Sequence, residues 1–343
     1  MKILVGISGG VDSAYAAYKL GSEGHTVVGA MLKMHGLSDP EPARAVCERL
    51  GIPFVLIDCE ELFSKKVKSY FVDEYSRGRT PNPCIVCNRE VKFRLLADYA
   101  REHGFDRIAT GHYARLVTRE VCGQTRYAFA LSRDGGKDQT YMLYRLPQDV
   151  LAILTLPLAD EVKGDIKAQA AGLSLVPEDE AESQEICFIG DGHYTDYIID
   201  KKGEFSEGDF VSEDGRVLGR HKGIIHYTVG QRKGLGISLG YRAFVSRIDA
   251  ETNRITLSEE GSVSDEVRVG DIVYSGMVPP TDVTSVRAEV KLRYQAKPVP
   301  ATVTFSSDGT AILRLDSGAR AVTPGQSAVI YSDGIVIAGG FIE

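Results

Sequence analysis

Two kinds of chemistry are written into short stretches of this chain. The first is anion handling. Ser8-Gly9-Gly10-Val11-Asp12-Ser13 follows the apolar run Lys2–Ile7 and leads into a segment with helical spacing. Two adjacent glycines let a backbone pass close to an anion and take unusual dihedrals. Free amides at a helix start, together with the helix dipole, favour phosphate. Ser8 and Ser13 add hydroxyl donors, and Asp12 can hold a metal or position a nucleotide. No Gly-Lys-Ser/Thr follows, so no lysine waits for a γ-phosphate as in a Walker A loop. The competing reading is a tight strand-to-helix turn without a ligand; six such residues after the first strand of a parallel sheet favour the phosphate site.

The second chemistry is sulfur. Six cysteines stand at positions 47, 59, 84, 87, 122 and 187. Cys47 falls inside a helical pattern and Cys59 follows a strand pattern, so both read as structural. Cys122 lies in a polar loop and carries no readable signal. Cys84 and Cys87 belong to Gly78-Arg79-Thr80-Pro81-Asn82-Pro83-Cys84-Ile85-Val86-Cys87-Asn88, a proline-stiffened turn entering a helix expected from about Asn88. A helix start and the nearby Arg79 and Arg89 would both lower a thiol pKa, so a thiolate is expected at Cys87. Cys187, in the apolar patch of Ser183–Gly190, reads by itself as a buried core cysteine. His112 and His221 are isolated in sequence and are expected to be structural.

Alternating elements must position these groups. Lys2–Ile7, Thr26–Lys33, Pro53–Asp58 and Arg107–Gly111 read as strands. Helices are expected over Ser13–Leu20, from Asp39-Pro-Glu-Pro to Leu50, across Leu62–Tyr75 and over Asn88–His103. This alternation implies an α/β fold: a Rossmann-like parallel sheet covered by helices. After about residue 200 the pattern changes to β-branched alternation with frequent turns. Arg242–Asp249, Arg254–Ser258, Asp271–Tyr274, Val286–Tyr294, Ala301–Phe305, Ala311–Asp316 and Ala328–Tyr331 read as short antiparallel strands, closing as a small β-barrel or sandwich. The expected division is a nucleotide-binding catalytic domain over 1–198, a small mostly β central domain over 199–269, and a β-barrel over 270–343.

The chain has 343 residues, enough for two or three domains. No apolar run is long enough to span a bilayer, and the N-terminus enters a strand at once. A cytoplasmic protein is expected, with no membrane partner and no need of disulfide staples. The net charge of −7 argues mildly against nucleic acid as a partner. Its distribution argues the other way: basic residues outnumber acidic ones from Lys65 to Arg115, and no carboxylate occurs from Arg216 to Lys233.

The phosphate loop resembles that of the ATP pyrophosphatase superfamily, whose members split ATP between the α and β phosphates and adenylate a carbonyl oxygen. A closer resemblance extends over most of the chain. Gly6–Ser13, Gly78–Phe93 (GRTPNPCIVCNREVKF), Thr110–Arg115 (TGHYAR), Lys137–Tyr141 (KDQTY), Ser183–Gly190 (SQEICFIG) and Tyr227–Ile237 (YTVGQRKGLGI) are similar, in order, to the tRNA-specific 2-thiouridylases. In the last third only Lys291-Leu292-Arg293-Tyr294 is recognisable.

The resemblance implies that Gly6, Ile7, Ser8, Gly9, Gly10, Val11, Asp12 and Ser13 hold ATP, accompanied by Mg²⁺, with Leu32 and Gly111 near the adenosine. It implies Cys87 as nucleophile and Cys187 as the cysteine that receives sulfur as a persulfide. Asn82 and Pro83 would lie against the target base, and Lys137, Asp138, Gln139, Arg293 and Tyr294 would contact tRNA. The sulfur would come from a cysteine desulfurase or a sulfur-carrier protein, and a monomer is expected.

The chain departs from the family at Cys84, where aspartate is common. Cys84, Cys87 and Cys187 could therefore ligate an iron–sulfur cluster through three thiolates. The persulfide reading is favoured over the cluster, because three cysteines are the minimum for one. Without a cluster Cys84 is a spare or resolving thiol. Two further rivals are an adenylating ligase acting on a small molecule, which needs no paired reactive cysteines, and a non-catalytic RNA-binding protein, which would not need an intact Ser8–Ser13 loop.

Overall fold

A computed structural model describes residues 1–175, 186–190 and 192–343. The first strands are β1 (Lys2–Gly6), β2 (Thr26–Lys33), β3 (Phe54–Asp58) and β4 (Arg107–Thr110). A hairpin follows, β5 (Arg115–Val121) and β6 (Gln124–Ala130), and then β7 (Leu154–Thr155). The parallel sheet has the order β3-β2-β1-β4-β7. Residues 3–5 of β1 are fully buried, as a strand covered on both faces requires. The chain runs from β1 outward to β3 and then crosses back to β4 on the other side of β1. Ligands in such sheets bind beyond the carboxyl ends of the strands at this switch point.

The helices are α1 (Val11–Ser22), α2 (Glu41–Leu50), α3 (60–76), α4 (83–102), the single turns α5 (Thr140–Leu143) and α6 (Gln148–Leu151), α7 (Lys163–Gly172) and α8 (Tyr194–Lys202). α3 and α4 each contain one π-helical turn, at Ser64–Lys68 and Asn88–Lys92. α4 starts five residues earlier than its apolar spacing predicts. Asn82 caps it, its Oδ1 accepting from the Cys84 amide at 3.2 Å, and Pro83 takes the first turn. Both cysteines of the Cys-x-x-Cys pair therefore lie inside the helix rather than ahead of it.

The central four-stranded sheet is formed by β8 (Gly208–Ser212), β9 (Val217–His221), β10 (Phe244–Asp249) and β11 (Arg254–Ser258), in the order β10-β11-β8-β9. The C-terminal strands are β12 (Val263–Tyr274), β13 (Thr284–Lys291), β14 (Val299–Phe305), β15 (Ala311–Arg320), β16 (Ser327–Ser332) and β17 (Ile335–Ile342). β12 pairs with both β15 and β17, which closes an antiparallel barrel of six strands. The β5–β6 hairpin attaches to its outside through Ala130 and Ile335. β17 escapes a sequence reading because Gly339 and Gly340 sit in mid-strand. A Cβ on Gly339 would come within 2.6 Å of the Tyr144 ring, so the glycine admits a close neighbour.

Gly78–Thr80 joins all three parts. The Thr80 amide donates to Pro324 O at 2.8 Å, and Gln326 Nε2 donates to Thr80 O at 2.8 Å. Gly78 has φ +72°, and a Cβ there would strike Ile248 Cγ2 at 2.6 Å. Among the described residues, no helix is long and apolar enough to cross a membrane.

Candidate active site

The loop after β1 is held by its own hydroxyls. Ser13 Oγ accepts from the Ser8 amide at 3.1 Å and donates to Gly10 O at 2.9 Å, while Ser8 Oγ accepts from the Gly10 amide at 3.3 Å. Ile7 stays in register, its amide donating to Ala30 O at 2.8 Å. Gly9 has φ +97°, and a Cβ would meet Pro42 Cβ at 2.6 Å. Gly10 is the N-cap of α1 and supplies no side-chain cap, so the first amides of α1, from Val11 on, depend on an outside acceptor. Gly111, just after β4, presses on the same turn; a Cβ there would lie 2.6 Å from the Asp12 carbonyl carbon. Gly6 packs under Leu96 of α4 with little room to spare, and Leu32 is buried in β2.

Asp12 is not a free ligand. Its Oδ1 accepts from the Tyr113 hydroxyl at 2.7 Å, and its Oδ2 faces Lys163 Nζ at 2.6 Å. The loop thus offers amides and hydroxyls suited to phosphate and a buried ammonium alongside. Among the described residues no group of three or more His, Cys, Asp or Glu side chains is gathered to hold a metal ion.

Cys87 lies at the same edge of the sheet. It is buried, with its sulfur 3.7 Å from that of Met34, the residue following β2. Burial pushes its thiol up to about 12, against the pull of Lys92. This corrects the expectation of a low-pKa thiolate. Arg79 and Arg89, expected to depress it, are paired with Glu74 at 2.9 Å and Glu90 at 3.1 Å. Desolvation wins over a helix start when the sulfur is this enclosed.

Cys187 is also corrected: it is exposed, and its neighbour Phe188 fills the core instead, edge-on to Phe63 at 5.6 Å and Phe71 at 5.4 Å on α3. Ser183, Gln184 and Glu185 of its motif lie outside the described residues. Cys84 is exposed, and its crowded setting still raises its thiol, as it does that of Cys187. Cys87 feels the charge of both other thiols, Cys187 feels that of Cys84, and Lys92 acts on all three. Cys47 and Cys59 are buried and raised to about 11, as structural cysteines are. Cys122 has φ +50° and sits with Gly123 in the turn of the β5–β6 hairpin.

His112 lies beside this group. Burial and Lys92 lower it to about 3, so it is a neutral imidazole, bonded through Nδ1 to Thr110 Oγ1 at 2.9 Å. Asn82, expected at a substrate base, uses its Oδ1 as the cap of α4, and Pro83 is buried.

The two stretches expected to face tRNA are brought together although 150 residues apart. Lys291 Nζ lies 5.9 Å from the Tyr141 ring and 5.5 Å from the Tyr294 ring, and Lys137 and Asp138 both act electrostatically on Tyr294. Within that surface Asp138 is buried. Its carboxylate accepts from the Ser132 amide at 2.8 Å and from the Thr140 amide at 3.1 Å. Gln139 Oε1 accepts from the Tyr113 amide at 2.9 Å. Arg293 anchors one nitrogen on Ala321 O at 2.6 Å and Thr323 Oγ1 at 2.5 Å, and the residue remains exposed.

Sequence reasoning missed Lys163, Tyr113, Met34 and Lys92 as parts of this site. Lys92 was within reach: five residues beyond Cys87, it returns to the same side of α4 only because the intervening turn is π-helical. Nothing local to Lys163 marks it.

A nucleotide loop, an adjacent thiol group and two appended β domains define the class of protein. Residues 1–191 match the family described as tRNA methyl transferase HUP domain, residues 196–259 the tRNA methyl transferase PRC-barrel domain, and residues 264–342 the aminomethyltransferase beta-barrel domain. Three curated relatives, from Clostridium botulinum, Acetivibrio thermocellus and Clostridioides difficile, are 42%, 41% and 40% identical. Each is named tRNA-specific 2-thiouridylase MnmA, and the matches cover all of this chain and 98%, 99% and 98% of the relatives. The chain belongs to the tRNA-specific 2-thiouridylase family.

Proposed function

We propose that this protein replaces the C2 oxygen of the wobble uridine of tRNA with sulfur, at the expense of ATP. The observation that carries the reading is a shared edge. The Ser8–Ser13 loop follows β1, Met34 against Cys87 follows β2, and Gly111–Tyr113 follow β4, so phosphate donors and thiols meet beyond the carboxyl ends of adjacent strands.

In this reading the uridine O2 attacks the α-phosphorus of ATP and pyrophosphate leaves. Loop amides from Ser8 to Ser13 and the Ser hydroxyls receive the pyrophosphate charge, with Lys163 as the nearby cation. Leu32 and Gly111 border the adenosine. Mg²⁺ brought in with the nucleotide would screen its phosphates. The terminal sulfur of a Cys187 persulfide attacks C2 and AMP leaves with the former uridine oxygen. The Cys87 thiolate then attacks Cys187 Sγ, which releases the 2-thiouridine and leaves a Cys87–Cys187 disulfide. The exposure of Cys187 suits loading by a cysteine desulfurase or a sulfur-carrier protein. The burial of Cys87 suits a thiol that acts only once its partner is in place.

The target base must leave its stack to reach this edge, where Asn82 and Pro83 form the wall of the turn. Lys137–Gln139 with Arg293 and Tyr294 supply a tRNA surface in which Lys137, Arg293 and Tyr294 make the contacts and Asp138 and Gln139 hold the loop. The protein works as a monomer in the cytoplasm. The test is incubation with ATP, Mg²⁺, wobble-uridine tRNA and a cysteine desulfurase system, read by mercury-gel retardation. Wild type gives a retarded band and Cys187→Ala gives none; absence of a band with wild type, with and without oxygen, rejects the reading.

A further inference from the structure

Cys84 is the thiol that this reaction leaves idle. It is exposed, whereas Cys87, one helical turn on along α4, is buried against Met34. Residues three apart face the same side of a helix, and an exposed first thiol with a buried second is the arrangement in which redox-active Cys-x-x-Cys pairs exchange disulfides. Cys187 belongs to the same group and is exposed. The disulfide expected after each turnover joins Cys187 to Cys87 and so ties up the exposed thiol that must receive the next sulfur.

We propose that Cys84 resets the enzyme by attacking Cys87 Sγ of the Cys87–Cys187 disulfide, moving the disulfide to Cys84–Cys87 and freeing Cys187. This rests on the persulfide reading above. The step is a thiol–disulfide exchange with no net oxidation. The Cys84 sulfur, having lost its proton to solvent, forms the new S–S bond, the old one breaks, and Cys187 leaves as thiolate. Cys187 is then ready for the next persulfide sulfur, while the oxidising equivalents sit in a disulfide with one sulfur at the surface. An external dithiol reduces that disulfide and restores Cys84 and Cys87.

The test uses full-length protein loaded with persulfide sulfur and given one equivalent of tRNA with ATP and Mg²⁺, without reductant. After an iodoacetamide quench, disulfides are mapped by non-reducing peptide mass spectrometry. The expected map for wild type is Cys84–Cys87 with Cys187 alkylated. For Cys84→Ser it is Cys87–Cys187, so Cys187 takes up no further persulfide sulfur until a dithiol is added. A wild-type map showing Cys87–Cys187 with Cys84 alkylated overturns the relay alone, provided Cys187→Ser is inactive. If Cys187→Ser still thiolates tRNA, the persulfide reading falls and the relay with it.

Discussion

Lys163 reaches from the first turn of α7 to set its ammonium 2.6 Å from Asp12 Oδ2 in the first turn of α1. The lysine is nearly buried, and Tyr113 holds the other carboxylate oxygen. The pair fixes the start of α1, whose first amides are the proposed phosphate donors. Lys163→Ala leaves Asp12 uncompensated beside incoming phosphate. ATP affinity is expected to fall by about 1–3 kcal/mol, or roughly five- to 150-fold. Isothermal titration with ATP checks this, and the double variant Asp12→Asn with Lys163→Met is expected to recover part of the loss.

Gly9 has no room for a side chain against Pro42 and holds a dihedral that L-residues avoid. Gly9→Ala is expected to place about 1–3 kcal/mol of strain in the loop. ATP binding is lost while circular dichroism stays that of the wild type.

The buried thiols make stability fall at alkaline pH. Cys47 and Cys59 are raised to about 11 and Cys87 to about 12, from an ordinary 9.0. The folded state holds these protons more tightly than the unfolded chain does. Their contribution is fully present below pH 9.0 and is lost as pH rises through about 11 to 12. Urea midpoints measured from neutrality upward should drop once pH passes that ordinary value. At neutral pH, iodoacetamide should modify the exposed Cys84, Cys122 and Cys187 before the buried Cys47, Cys59 and Cys87.

Arg293 tests the tRNA surface. Its truncation removes one cation from the proposed tRNA surface and an anchor to Ala321 and Thr323. Arg293→Ala is expected to weaken tRNA binding and to reduce the slope of log affinity against log salt by about 1. Weaker binding with an unchanged slope would assign Arg293 to the anchor alone.

The parallel sheet was legible because its strands are continuous apolar runs and its helices carry caps and periodicity. Ser8–Ser13 was legible because glycine and serine there do a local job. Less could be read where tertiary contacts decide. The start of α4 depends on Asn82 as cap, and β17 runs through two glycines chosen for close neighbours. Cys187 was expected in the core because it lies in an apolar patch, yet Phe188 takes that place. The raised thiol of Cys87 follows from enclosure by residues distant in sequence. Lys163 stands 151 positions from its partner.

In the proposed reaction the C2 oxygen of uridine is adenylated before sulfur replaces it. The direct measurement uses tRNA carrying ¹⁸O at C2 of the wobble uridine, with mass spectrometry of the released nucleotide. One ¹⁸O in AMP is expected for each 2-thiouridine formed, together with pyrophosphate. Unlabelled AMP, or ADP and phosphate in place of AMP and pyrophosphate, would contradict it.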